Sequence, residues 1–225
     1  NFSKKEKFYI VNDFNKCKET NFFIERKIGE FFVKNMRFKE FGEFVIDKKK
    51  FLNEQEFYQI EILKRILVTC SGNIYPPRIR SIKLMLNQIK NSERLSFTLN
   101  SCVVKFSLKN IHFFREYQKI KREVAKEIKV KKKSSLLWDD RFLIKSILND
   151  LKCCKFDDSI WIKIKKDFDL IKLTKKMNYQ ILKTLPVLRI NKKIMIPFLS
   201  EDKEMLLNGV SIMFSPKIPL TKKNF

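Results

Sequence analysis

The sequence predicts an α+β fold: an N-terminal helical subdomain over residues 1–93, then a small, mainly antiparallel β-sheet region with short helices over 94–225. One change along the chain and the composition carry this reading. Apolar side chains recur near every 3.6 residues until about Arg94, and near every second residue after it. The second observation is the composition. The chain has 225 residues, 44% of them hydrophobic and 33% charged, which is too apolar for a disordered tail. With 4 Gly and 6 Pro it is not low-complexity.

The elements follow in order. From Thr20, Ile24, Ile28, Phe31, Phe32 and Val33 recur while Arg26, Lys27, Glu30, Lys34 and Arg37 take the other side, so a helix with one buried face is expected, ended by Gly42. Asn53 and Glu56 resemble a capping box opening a second helix, with Phe57, Ile60, Leu63 and Leu67 on its stripe and Gly72 at its stop. Pro76 and Pro77 fit the entry to a third helix. That helix sets Ile79, Ile82, Leu86 and Ile89 against Arg80, Lys83, Asn87 and Lys90. The basic side is either a solvated face or a ridge aimed at phosphates.

Beyond Arg94, residues 95–99, 103–108 and 111–114 read as an antiparallel meander. Residues 117–135, ending in Lys131, Lys132 and Lys133, read as a helix or a linker. Ile160, Ile162 and Ile164 alternate with Trp161, Lys163 and Lys165, as in a strand with a basic outer face. A short helix over 177–185, a hairpin of 187–190 with 194–198 around Asn191-Lys192-Lys193, and a last strand over 210–214 complete the reading.

The net charge of +24 points to a polyanionic partner. Part of the Lys content reflects the Lys-, Asn-, Ile- and Phe-rich usage of an AT-biased genome. Nucleic acid leads, ahead of an anionic membrane surface, because no segment pairs a basic face with a Trp-rich apolar one. No apolar run approaches the ~20 residues of a membrane span, and no secretory signal is visible. The 5 Cys read as reduced thiols of a cytoplasmic protein. Their spacing, with His112 the sole histidine, supplies no zinc site, and no other metal site is expected.

Enzymatic signatures are missing. There is no Walker-type loop and no G-x-G-x-x-G, and Ser71-Gly72-Asn73 lacks the second Gly, the Asp and the final Ser of an S-G-G-x-D-S loop. His112, inside an apolar strand, reads as structural. Asp139-Asp140 beside Arg141 reads as a turn with a local ion pair rather than a Mg²⁺ site. No catalytic residue is assigned to this chain.

Several segments together resemble one family. Ser71-Gly72-Asn73-Ile74-Tyr75-Pro76-Pro77-Arg78 is similar to an SG-x-x-YPPR segment. Thr98-Leu99-Asn100-Ser101-Cys102 stands for TLGGC, Arg115-Glu116 for RE, and Trp138-Asp139-Asp140-Arg141-Phe142 for WDGRF. Leu185-Pro186-Val187-Leu188 and Ile196-Pro197-Phe198-Leu199 stand for a paired LP-x-L and VP-x-L. In this order they resemble the tRNA(Ile)-lysidine synthases of the alphaproteobacterial type. Asn100, Ser101 and Asp140 replace glycines of that pattern; Asn and Asp tolerate left-handed backbone, Ser less so.

The resemblance implies a ligase that activates the wobble cytidine of an isoleucine tRNA (CAU anticodon) with ATP and Mg²⁺. It then attaches lysine, so that the anticodon reads AUA instead of AUG. The family's adenylating domain with its S-G-G-x-D-S loop has no counterpart here, and the chain starts at Asn1 without Met. The expectation is therefore a C-terminal part that holds tRNA and is inactive alone. Expected tRNA contacts are Arg78, Arg80 and Lys83, then Lys131, Lys132 and Lys133, then Arg141, Lys163 and Lys165. Trp138 and Tyr75 are expected to pack. The alternative is a free-standing basic RNA- or DNA-binding or assembly protein.

Overall fold

The computed structural model describes residues 4–166, 177–190, 193–198, 205 and 207–221. The α+β class is borne out: helices dominate the first part, and among the described residues every strand pairing is antiparallel. Helices α1 (Lys4–Asn35), α3 (Glu56–Ser71) and α4 (Ile79–Asn91) pack on one another and on a sheet in the order β1-β2-β5-β4-β3. Its strands are β1 (Met36–Lys39), β2 (Glu43–Asp47), β3 (Leu95–Leu99), β4 (Cys102–Phe106) and β5 (Asn110–Arg115). The short helix α2 (Lys48–Leu52) follows β2. Ile28, Phe51, Leu63, Ile66, Leu67, Ile82 and Phe113 form the centre of this first core, each at most 1% exposed.

A second core lies between two further sheets. One has the order β11-β10-β9-β6 and the other β12-β8-β7. Their strands are β6 (Glu127–Val130), β7 (Ser134–Trp138), β8 (Phe142–Ser146), β9 (Leu151–Lys155), β10 (Pro186–Ile190), β11 (Lys193–Met195) and β12 (Val210–Phe214). Helices α5 (Tyr117–Glu123), α6 (Asp158–Lys166) and α7 (Tyr179–Leu182) accompany them. The first core draws strands from both sides of position 93, so the cores divide near Phe113 and Phe114. Phe214 touches both, with its ring 5.8 Å from Phe44 and 5.4 Å from Phe142.

The structure corrects several local expectations. The first helix stops at Asn35, and Gly42 lies in the β1–β2 turn at φ 83°, where its N–H donates to Lys39 O at 2.8 Å. Asn53 closes α2, and Gln55 rather than Asn53 precedes α3. Residues 117–135 are not a linker: they hold α5, β6 and the start of β7. Residues 158–166 form helix α6, not a strand. The Asp157 carboxylate accepts the Ile160 N–H at 2.9 Å, as an N-cap does, and this local bond outweighs the period-two pattern. Ile160 is buried and Ile162 is 57% exposed, so the isoleucines do not share a face. Gly72 ends α3 in the left-handed region as expected, at φ 73°. In the predicted 187–190 hairpin, residues 191 and 192 lie outside the described residues, as does Leu199.

His112 is structural, with Nδ1 2.9 Å from Glu43 Oε1; Lys39 Nζ lies 2.6 Å from the same carboxylate. Burial of Glu43 works to raise its pKa, but hydrogen bonds from His112 and Lys39 outweigh this and hold it below the ordinary value. A depressed folded-state pKa gives stability that is present above the ordinary carboxylate value near 4.3 and is lost as pH falls through the folded value. Glu43→Gln should therefore flatten the acid limb of a Tm-against-pH curve below about pH 4.5. An acid limb identical to the wild type would show that Glu43 contributes no linkage.

Candidate functional site

Four of the family-like segments, those at residues 71–73, 100–102, 115 and 139–141, meet where the two cores join. Asp139 is the centre. Arg115 Nε and Nη2 donate to its two oxygens at 3.1 and 2.9 Å, and Arg141 Nε donates to one of them at 2.7 Å. The side chains of Arg115 and Asp139 are 3% exposed and that of Arg141 is fully buried. Burial works against the Arg115 cation, but the neighbouring Asp139 charge more than offsets it, and the pKa lies above the usual guanidinium value. Arg115 also reaches Glu123 Oε2 at 3.1 Å and Ser101 O at 3.4 Å, while Arg141 Nη2 donates to Thr184 O at 3.0 Å. Two bidentate-capable cations thus clamp one carboxylate and tie β5, the β7–β8 turn and the segment before β10 together.

The turns feeding this centre need left-handed backbone. Asn100 and Ser101 have φ 51° and 61° in a two-residue loop closed by the Leu99–Cys102 pair, the conformation of a type I′ hairpin. Both non-glycine replacements therefore keep the turn that two glycines would make. Asn100 anchors it: its Nδ2 donates to Leu67 O and Ser71 Oγ, and its Oδ1 accepts from Asn73 Nδ2 at 3.2 Å. Asp139 and Asp140 follow at φ 51° and 53°. A Cβ on Gly72 would lie 3.0 Å from Asp139 O and from Asp140 Cβ, so the SG segment packs directly on the WD-x-RF segment. A cleft of about 270 Å³ opens beside this junction, lined by Gly72, Asn73, Arg115, Glu123, Asp139 and Asp140. Ser71 Oγ and the Gly72 N–H are spent on bonds within and against α3, so the segment does not form an open phosphate cradle.

The predicted surface residues fall elsewhere. Arg78, Arg80 and Lys83 are together and exposed at the entry of α4, whose other face buries Ile82, Met85, Leu86 and Ile89. Lys83 and Lys90 lie 3.5 and 3.8 Å from Glu56, exposed pairs that a stronger anion could displace. Tyr75, expected to pack, is 80% exposed; Ile79, expected in the core, is 53% exposed. Lys131, Lys132 and Lys133 are exposed in the β6–β7 turn, carried by the other core. Lys163 is exposed on α6, and the Lys165 side chain lies outside those described. Arg141 does not join these groups, because its guanidinium is buried in the interior, with Nε on Asp139 and Nη2 on Thr184 O. Trp138 is 1% exposed and packs as expected.

Burial pushes the thiols of Cys102, Cys153 and Cys154 up, which leaves them protonated and unreactive. Among the described residues no helix is long and apolar enough to cross a membrane.

A buried ionic clamp between two cores, with cationic groups displayed outside it, defines a basic α+β chain. Comparison with known proteins narrows this class. The chain is similar to tRNA(Ile)-lysidine synthases, the family its motifs resemble. It is 28% identical over 94% of its length to tRNA(Ile)-lysidine synthase of Rickettsia bellii strain RML369-C, and covers 51% of that protein. The enzyme of Rickettsia akari is 29% identical over 79% of the chain, and that of Rickettsia conorii 28% over 79%. The chain thus spans about half the length of the first of these relatives. No protein-family model matches it.

Removing Asp139 strands two buried guanidinium groups. Asp139→Ala should cost about 3–5 kcal/mol in urea-unfolding free energy, with the Ala variant far below Asp139→Asn, which keeps one acceptor. Equal loss in both variants would mean that the arginines require the carboxylate charge itself and that the single acceptor kept by Asn does not offset its removal.

Proposed function

We propose that this chain is the tRNA-holding part of a lysidine-forming ligase. In the whole enzyme, lysine is joined to the wobble cytidine of an isoleucine tRNA with a CAU anticodon. ATP is consumed, with AMP and pyrophosphate released. The adenylating site, with its ATP and Mg²⁺, belongs to a domain carrying an S-G-G-x-D-S loop. The Ser71-Gly72-Asn73 segment itself does not offer an open triphosphate cradle, because it is packed against Asp139 and Asp140. This chain's part is to bind and orient RNA.

The observation that carries the reading is the entry of α4. Its apolar face is locked in the first core, so Arg78, Arg80 and Lys83 project from a rigid ridge rather than a loose tail. Ridge and lysine turn stand on different cores, which the Asp139 clamp holds in one geometry. Contacts of this kind fix register on the RNA backbone and carry little sequence information. Stems are read by shape and 2′-hydroxyls, and exposed bases supply specificity. The exposed Tyr75 ring beside the ridge is placed to stack on an unpaired base.

Binding of a tRNA transcript should weaken steeply with salt. The Arg80→Ala/Lys83→Ala pair should lower affinity for any tRNA by a similar factor and make the log K against log salt slope shallower by about 1.4–1.8. Fluorescence anisotropy across a salt series reads both quantities. Unchanged affinity and slope would make the ridge a solvated face and remove the main support for the reading.

A further inference from the structure

The strongest cationic feature of the second core is one that no local sequence pattern displays. In the sheet β11-β10-β9-β6, Lys129 of β6 is directly opposite Lys152 of β9, and Lys152 is opposite Arg189 of β10. Like charges placed opposite one another on adjacent strands destabilise a sheet. Neighbouring strands are about 4.8 Å apart, so the row packs its positive charges within about 10 Å. The intervening residues Val130, Leu151, Cys153, Leu188 and Ile190 point into the core, which places the basic row on the opposite face; that face is covered at Cys154 and Val187 and opens at the row.

The row is only partly neutralised where it stands. Glu127 pairs with Lys152 at 2.8 Å, and Asp150 is engaged by the Lys132 N–H at 2.7 Å. Arg189 Nε is buried and has no hydrogen-bond partner among the described residues. A buried donor without an acceptor is costly, and native structures seldom keep one unless something else supplies the acceptor. Above the row lies a cleft of about 520 Å³, lined by Lys129, Lys131, Lys152, Arg189 and one carboxylate, Asp150. The cleft is continuous with the lysine turn through Lys131.

We propose that the outer face of β6, β9 and β10 is a phosphate-binding groove. Arg189 meets a phosphate through its guanidinium, and Lys129, Lys131 and Lys152 neutralise it from the flanks. Arginine suits the centre because its planar fork matches phosphate oxygens, whereas the lysines act as mobile point charges. The phosphate is that of an RNA backbone if the proposed function holds, and this identity of the ligand rests on that reading. A free phosphate ester offers the same chemistry.

The test uses the whole 225-residue chain. Lys129→Gln/Lys152→Gln changes exposed side chains only. Arg189→Lys keeps the charge and removes the fork. Thermal melts confirm that each variant is folded. Anisotropy with a tRNA transcript and calorimetry with pyrophosphate are run on all of them. The expected result is a loss of tRNA affinity of at least about tenfold in each variant, with the salt slope of the double variant shallower by about 1.4–1.8. If tRNA binding is untouched but pyrophosphate binds the wild type and not Arg189→Lys, the groove stands as a free-phosphate site. If the variants match the wild type with both probes, the groove proposal is overturned. In that case a continuing effect of Arg80→Ala/Lys83→Ala on tRNA would leave the proposed function standing.

Discussion

The clamp of Arg115 and Arg141 on Asp139 is the interaction on which the rest of the molecule depends. It lies where the helical core meets the double-sheet core and draws on β5, the β7–β8 turn and the backbone of Thr184. A buried ion pair is not stabilising by virtue of its charges, since desolvation consumes most of their attraction. What it supplies here is geometry. Few arrangements satisfy two guanidinium groups and one carboxylate together, so the two cores are held in one relative position. Phe214 reinforces the junction with an apolar contact to each side.

This division of labour explains why the family-like segments and the basic surface overlap only at Arg78. Gly72, Arg115, Asp139 and Arg141, which match the lysidine synthase pattern, build the junction, and Asn100 and Ser101 keep the left-handed turn that the pattern's glycines would make. Tight turns with positive φ and a buried carboxylate tolerate few residue types. The cations on α4, in the β6–β7 turn and across β6, β9 and β10 meet a looser requirement. A phosphate accepts either Lys or Arg from several directions. Such positions need charge and exposure rather than one identity.

Much of the fold was legible because its signals are local. The α4 face, the meander after Arg94 and the Gly72 stop each follow from periodicity or backbone freedom over a few residues. The hairpin of β1 and β2 was missed because Arg37 and Phe38 continue a helical pattern, and the strand they pair with, β2, is itself paired to β5, more than sixty residues on. The 160–165 segment misled because alternating Ile and Lys fits a strand as well as a helix, and one Asp157 cap decided it. In the candidate site, Arg141 read as a surface cation; only its partners, Asp139 and Thr184, show it to be internal. Lys129, Lys152 and Arg189 could not be grouped at all from sequence, since their alignment depends on the register of three strands.

The account holds that RNA meets the basic surfaces while the motif junction stays internal. Amide hydrogen exchange of the chain with and without an isoleucine tRNA transcript tests that division most directly. Slowed exchange is predicted around residues 74–83 and in the strands and turn of residues 127–133 and 150–152, with residues 100–102 and 139–141 unchanged. Slowing confined to the junction, or no slowing anywhere at saturating tRNA, would contradict it.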